Sequence, residues 1–200
     1  MRLFVAMNLP SEIRDRMAAV QDRLRRAQAD VSWVRAENIH VTLKFLGETE
    51  PKRLQRIRPA LAEAAGAAAS FSMEVSGVGS FGGRIPRVVW VAVGDGAETL
   101  TQLAASIEVA LGRVGFPKER RGFTAHLTVG RVRSPRNAEA LVVALQEFSA
   151  EKFGTFSATE FELMQSELHP SGSVYTVLEK FPLGSHPGVL NNGGPARHET

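Results

Sequence analysis

The chain has 200 residues, 44% of them hydrophobic, with 24 lysines and arginines, 21 acidic residues and no cysteine. This length suits one domain or two small lobes sharing a cleft, and the missing cysteines exclude disulfides, thiolate metal sites and thiol nucleophiles. A net charge of +3 suits an anionic ligand without requiring one, and nothing approaches the roughly 18 consecutive apolar residues of a membrane span, so a cytoplasmic protein without membrane contact is expected.

Leu3 to Met7 reads as a strand ended by Asn8-Leu9-Pro10. From Ser11 to Ala29, the apolar residues Ile13, Met17, Val20 and Leu24 recur at helical spacing with charges opposite. Val31 to Val34 is short and strand-like, and Ile39 to Leu46 alternates until Gly47. A second helix is expected between Pro51 and Ala69, kinked at Pro59 or starting later. Phe71–Phe81 and Val88–Val93 read as strands, and Glu98–Val114 as a strong helix. A basic loop from Pro117 to Gly122 leads into a strand around His126. Asn137–Phe148 reads as a helix, and Phe156–Leu163 and Val174–Phe181 as strands joined by a turn at His169–Gly172. Interleaved strand pairs and helices predict an α+β fold rather than a doubly wound sheet. Residues 1–183 are expected to form one bilobal domain, and 184–200, rich in Gly, Pro, Asn and His, a disordered tail.

Each half ends a helix-turn-strand sequence in the same pattern: His40-Val41-Thr42 and His126-Leu127-Thr128, with the histidines 86 residues apart. Residues i and i+2 of a strand share a face. His40 therefore travels with Thr42 and His126 with Thr128, while Val41, Leu43, Leu127 and Val129 turn to the core. Brought together across a cleft, the four side chains would surround a phosphate-sized site. One imidazole could take a proton from water and the other give one to the leaving oxygen, since histidine has both forms accessible near neutrality. The hydroxyls could hydrogen-bond non-bridging oxygens as charge builds.

A catalytic zinc would need three protein ligands, and no third ligand stands at strand or helix spacing from either histidine, so no metal and no other cofactor is expected. Gly77-Val78-Gly79 and Gly82-Gly83 lack the Gly-Lys-Ser/Thr of a phosphate-cradling loop, and no nucleophile elbow is present. A nucleotide-binding module without turnover is the alternative of a different class, although a pure binder has no need of two imidazoles.

Met1-Arg2-Leu3-Phe4-Val5-Ala6, the block Asn38–Gly47, the block Phe123–Arg131 and the stretch from Ser166 through Tyr175 carry a resemblance. In order across residues 1 to 183, the chain resembles the RNA 2′,3′-cyclic phosphodiesterase (2′-5′ RNA ligase) family of the two-histidine phosphoesterases. The resemblance implies bilobal, pseudo-symmetric antiparallel sheets lining a central cleft, with helices outside. It implies hydrolysis of RNA or nucleoside 2′,3′-cyclic phosphate to the 2′-phosphomonoester, with a capacity for reverse 2′-5′ joining; a monomer is expected. Carried over, His40 is the proton donor, His126 the proton acceptor, and Thr42, Thr128 and Arg131 the phosphate contacts; without the resemblance the two histidines look alike.

Arg131, five residues after His126, would face the core on a regular strand, where an unpaired guanidinium does not settle. Either the strand ends or bulges at Gly130, or Arg131 holds no phosphate. Phe45 occupies the equivalent position in the first half. Parity sends it to the core; its alternative role is to stack on a base.

Overall fold

The protein is described here as a computed structural model covering residues 1–170 and 172–184. Residues 185–200 of the expected tail, with His186 and His198, lie outside the described residues. The strands are β1 (Arg2–Asn8), β2 (Val31–Trp33), β3 (His40–Glu48), β4 (Phe71–Phe81), β5 (Val88–Val93), β6 (His126–Val132), β7 (Lys152–Ala158), β8 (Glu160–His169) and β9 (Gly172–Pro182). The helices are α1 (Ser11–Leu24), α2 (Leu54–Gly66), α3 (Ala97–Arg113) and α4 (Ala138–Gln146). No helix among the described residues is long and apolar enough to cross a membrane.

The strands form one antiparallel nine-stranded sheet in the order β7-β4-β5-β6-β3-β1-β8-β9, with β2 added on β6. Its two halves are related across the β6–β3 junction, so that β5 matches β1, β4 matches β8 and β7 matches β9. The halves meet at a single register pair, Val41 opposite Leu127. Only Thr159 separates β7, on one edge, from β8 in the opposite half. So short a link requires the sheet to curl until its distant strands come close. The fold is thus α+β, with one curled sheet in two pseudo-symmetric halves.

Helices cover the convex side. α2 packs on α3, α3 on β3, and α1 on β7 and α4. The stripe Leu100, Leu103, Ile107 and Leu111 of α3 is buried, and each such side chain contributes roughly 1.5–3 kcal/mol of hydrophobic free energy. One core cluster runs through both halves.

Several expected boundaries move; the first helix, expected to reach Ala29, ends at Leu24. The helix from Pro51 begins as a 3-10 turn and becomes α-helical at Leu54. Pro59 stays inside it, on the exposed side, where water can satisfy the freed carbonyl. The expected strand Phe156–Leu163 is two strands broken at Thr159, where the chain passes between halves. Gly184, assigned to the tail, is tied to the end of α2, its N–H donating to Ala68 O at 2.8 Å.

Candidate active site

In β3, Thr42 pairs with Ala6 and Lys44 with Val5, so Leu43 is an extra residue. In β6, Thr128 pairs with Trp90 and Gly130 with Val89, so Val129 is extra. The two β-bulges fall at equivalent places, and a bulge reverses the alternation beyond it. Leu43 and Lys44 are therefore both buried and Phe45 turns outward; likewise Val129 and Gly130 are buried and Arg131 turns outward. This corrects the core-facing reading of Phe45, which is 56% exposed. It also resolves Arg131, since the strand bulges and the guanidinium faces the same cleft as His126.

The second bulge is held from outside the sheet. Val129 O accepts the Val34 N–H at 3.0 Å and the buried Gln21 Nε2 at 2.8 Å, while Gln21 also donates to Val34 O at 2.9 Å. Gly130 lies beneath β2, where a Cβ would stand 2.8 Å from Val31 Cγ1 and 3.0 Å from Trp33 Cε3. At the equivalent place in the first half stands Lys44, 2% exposed. Its Nζ is paired with the Glu108 carboxylate and donates to Pro117 O at 3.0 Å.

With Val41 opposite Leu127 in antiparallel register, Thr128 stands across from His40 and Thr42 across from His126. All four line one cavity of about 1150 Å³, together with Phe45 and Arg131. Each imidazole is fixed in the same manner. His40 Nδ1 lies 2.8 Å from Asn38 O, and His126 Nδ1 lies 2.7 Å from Thr124 O. A carbonyl only accepts, so Nδ1 carries the hydrogen in both rings and Nε2 is left for the cleft. His40 Nε2 is 3.0 Å from Thr42 Oγ1, whereas His126 Nε2 has no protein partner among the described residues. Aromatic edges flank both rings: Tyr175 meets His40 at 5.4 Å and 81°, and Phe81 meets His126 at 5.2 Å and 83°. Phe4 adds a second ring 5.0 Å from His40. Burial pushes the His40 pKa below its usual 6.5, outweighing the opposing pull of the Asn38 carbonyl.

All six sequence-derived site residues thus meet in one cleft. Sequence reasoning missed the flanking rings Phe81, Tyr175 and Phe4, and the supports Gln21, Lys44 and Glu108. For Gln21 a signal existed: it stands four residues after Met17 on the apolar stripe of α1. Among the described residues no three His, Cys, Asp or Glu side chains are grouped so as to hold a metal ion.

The chain is similar to known proteins along most of its length. The LigT-like phosphoesterase model matches the chain twice, over residues 8–90 and 91–175. Each match contains one His-x-Thr pair. An RNA 2′,3′-cyclic phosphodiesterase of Methanothermobacter thermautotrophicus is 37% identical over 183 residues, which are 91% of this chain and 98% of that protein. A crystal structure of a Thermus thermophilus protein superposes with a TM-score of 0.78 at 30% identity, covering 93% of this chain and 100% of that one. E. coli LigT complexed with 3′-AMP superposes with a TM-score of 0.73 at 26% identity, covering 91% of this chain and 97% of that one.

Proposed function

The chain belongs to the LigT-like phosphoesterase family, and from that premise we propose that it hydrolyses RNA 2′,3′-cyclic phosphate ends to 2′-phosphomonoesters. The observation that carries this reading is the pair of imidazoles, each with Nδ1 held by a carbonyl and Nε2 turned to one cleft. That is the arrangement an acid and a base need on opposite sides of one phosphorus.

In the proposed step, water lies against His126 Nε2 and opposite the 3′ oxygen. His126 takes a proton as the water oxygen bonds to phosphorus. The P–O3′ bond breaks, and protonated His40 gives its Nε2 proton to the departing O3′. The products are a 3′-hydroxyl and a 2′-phosphate, and the two imidazoles have exchanged protonation states. Thr42, Thr128 and Arg131 bind the non-bridging oxygens, where charge grows. A buried histidine with a lowered pKa is a strong acid once protonated, and the anionic phosphate favours protonating it on binding. Phe45, exposed at the cleft beside Phe4 at 6.2 Å, offers a face for the base. An RNA 5′-hydroxyl in the water position would give a 2′-5′ linkage by the same proton transfers. Both histidines come from one chain, so a monomer suffices, and no metal takes part in the scheme.

The test incubates purified protein with a nucleoside 2′,3′-cyclic phosphate, with and without EDTA, and identifies the product by phosphorus NMR. The expected result is the 2′-phosphate at the same rate in both. Absence of hydrolysis would overturn the function, a 3′-phosphate the assignment of acid and base, and loss of activity in EDTA the metal-free scheme.

A further inference from the structure

We infer that Lys118 and Arg121 form a subsite for an internal phosphate of the RNA strand that leads to the cyclic end. This inference rests on the proposed reading of the cleft.

The charged side chains lining the cleft are five cations and two carboxylates, an excess of three that equals the net charge of the whole chain. Lys44 is occupied by Glu108 and Pro117 O. The side chains of Arg2, Arg131, Lys118 and Arg121 make no hydrogen bond or ion pair among the described residues, although the Lys118 charge is felt by Glu108. A 2′,3′-cyclic phosphate is a monoanion, and Arg131 with the two threonines already faces it. The remaining cations exceed what a mononucleotide uses and suit a polyanion whose next phosphates run along the same wall.

The loop that carries Lys118 and Arg121 has no helix or strand between Pro117 and Ala125, yet it is fastened at several points. Lys44 Nζ donates to Pro117 O at 3.0 Å. The Glu108 carboxylate, which receives Lys44, also accepts the Glu119 N–H at 2.9 Å. Glu119 in turn accepts the Phe45 N–H at 3.1 Å through Oε1. The acid between the two cations is thus directed to the β3 backbone, not to the cations beside it. Burial alone would push the Glu108 carboxyl up, but hydrogen bonds from Lys44 and the Glu119 N–H, with the Lys44 and Lys118 charges, hold it below its usual value. Glu108 therefore stays ionised at neutral pH. The buried lysine created by the β3 bulge acts as the peg for a basic loop on the cleft rim.

The test compares kcat/KM for a six-nucleotide RNA ending in 2′,3′-cyclic phosphate with that for the corresponding nucleoside 2′,3′-cyclic phosphate, across a range of salt. The native protein is expected to favour the hexanucleotide roughly tenfold at low salt. Its log–log salt slope should be steeper than the nucleoside's by about 0.7 for each phosphate neutralised. The exposed double variant Lys118→Ala/Arg121→Ala should lose both the preference and the extra slope. Equal rates for the two substrates in the native protein, or a preference kept by the double variant, would overturn the subsite. Absence of turnover on both substrates would instead overturn the proposed function on which it rests.

Discussion

Replacing Gln21 with leucine tests whether the β6 bulge is what aims Arg131 into the cleft. Gln21 is 3% exposed and spans Val34 O and Val129 O at 2.9 and 2.8 Å. Leucine keeps much of the volume and removes both hydrogen bonds. Val129 O retains the Val34 N–H at 3.0 Å, while Val34 O is left without a partner among the described residues. A buried carbonyl stripped of its partner costs roughly 1–3 kcal/mol. With part of that offset by apolar burial, the expected loss is about 2 kcal/mol, which for a domain of this size lowers Tm by roughly 4–8 °C. Because one of the two lost bonds sits on Val129, the extra residue of the bulge, KM for a nucleoside 2′,3′-cyclic phosphate should rise more than kcat falls. Thermal unfolding and steady-state kinetics on the same preparation read both effects. An unchanged Tm would refute the energetic reasoning, and a lowered Tm with unchanged KM would refute the link from bulge to phosphate contact.

Two glycines should respond with opposite signs. Gly130→Ala forces a Cβ to within 2.8 Å of Val31 and 3.0 Å of Trp33 and should cost about 1–3 kcal/mol by overpacking. Gly112→Ala, in α3 with nothing within 4 Å of its added Cβ, should stabilise by about 0.4–1 kcal/mol; denaturant titration separates them. In the proposed reaction His40 must be protonated in the free enzyme, and burial holds its pKa below 6.5. The alkaline limb of kcat/KM should therefore fall below pH 6.5 and move upward in kcat, once bound phosphate favours the imidazolium. Coincident limbs would contradict that role. The same depressed pKa makes the unfolded chain bind more protons as pH falls through 6.5, so stability from neutral His40 is present above that pH and lost below it. His40→Asn should flatten this decline in thermal melts.

The parts of the site that follow strand parity were legible in the sequence. His40 with Thr42, and His126 with Thr128, needed only the two-residue period and the apolar residues between them. Parity failed beyond Leu43 and Val129 because a bulge inserts a residue that has no side-chain signature of its own. Arg131 betrayed its bulge, since a guanidinium assigned to the core is a contradiction. Phe45 did not, because an aromatic ring assigned to the core raises no objection. Lys44 shows the same limit: alternation groups it with His40, and only the extra residue turns it to Glu108. The passage through Thr159 was hidden because an extended segment looks the same whether it stays in one half or crosses to the other. Gln21 was readable as a polar residue on an apolar stripe, but its partners, 13 and 108 residues away, were not.

In the proposed reaction two imidazoles act as one acid–base unit on a cyclic phosphate. The most direct test is kcat/KM on a nucleoside 2′,3′-cyclic phosphate for His40→Ala, His126→Ala and the double variant. Each single variant is expected to lose roughly 10²–10⁴-fold, and the double variant little more than the worse single one, because the groups act in the same step. Native-level activity in either single variant, or losses that multiply in the double, would contradict a shared acid–base step.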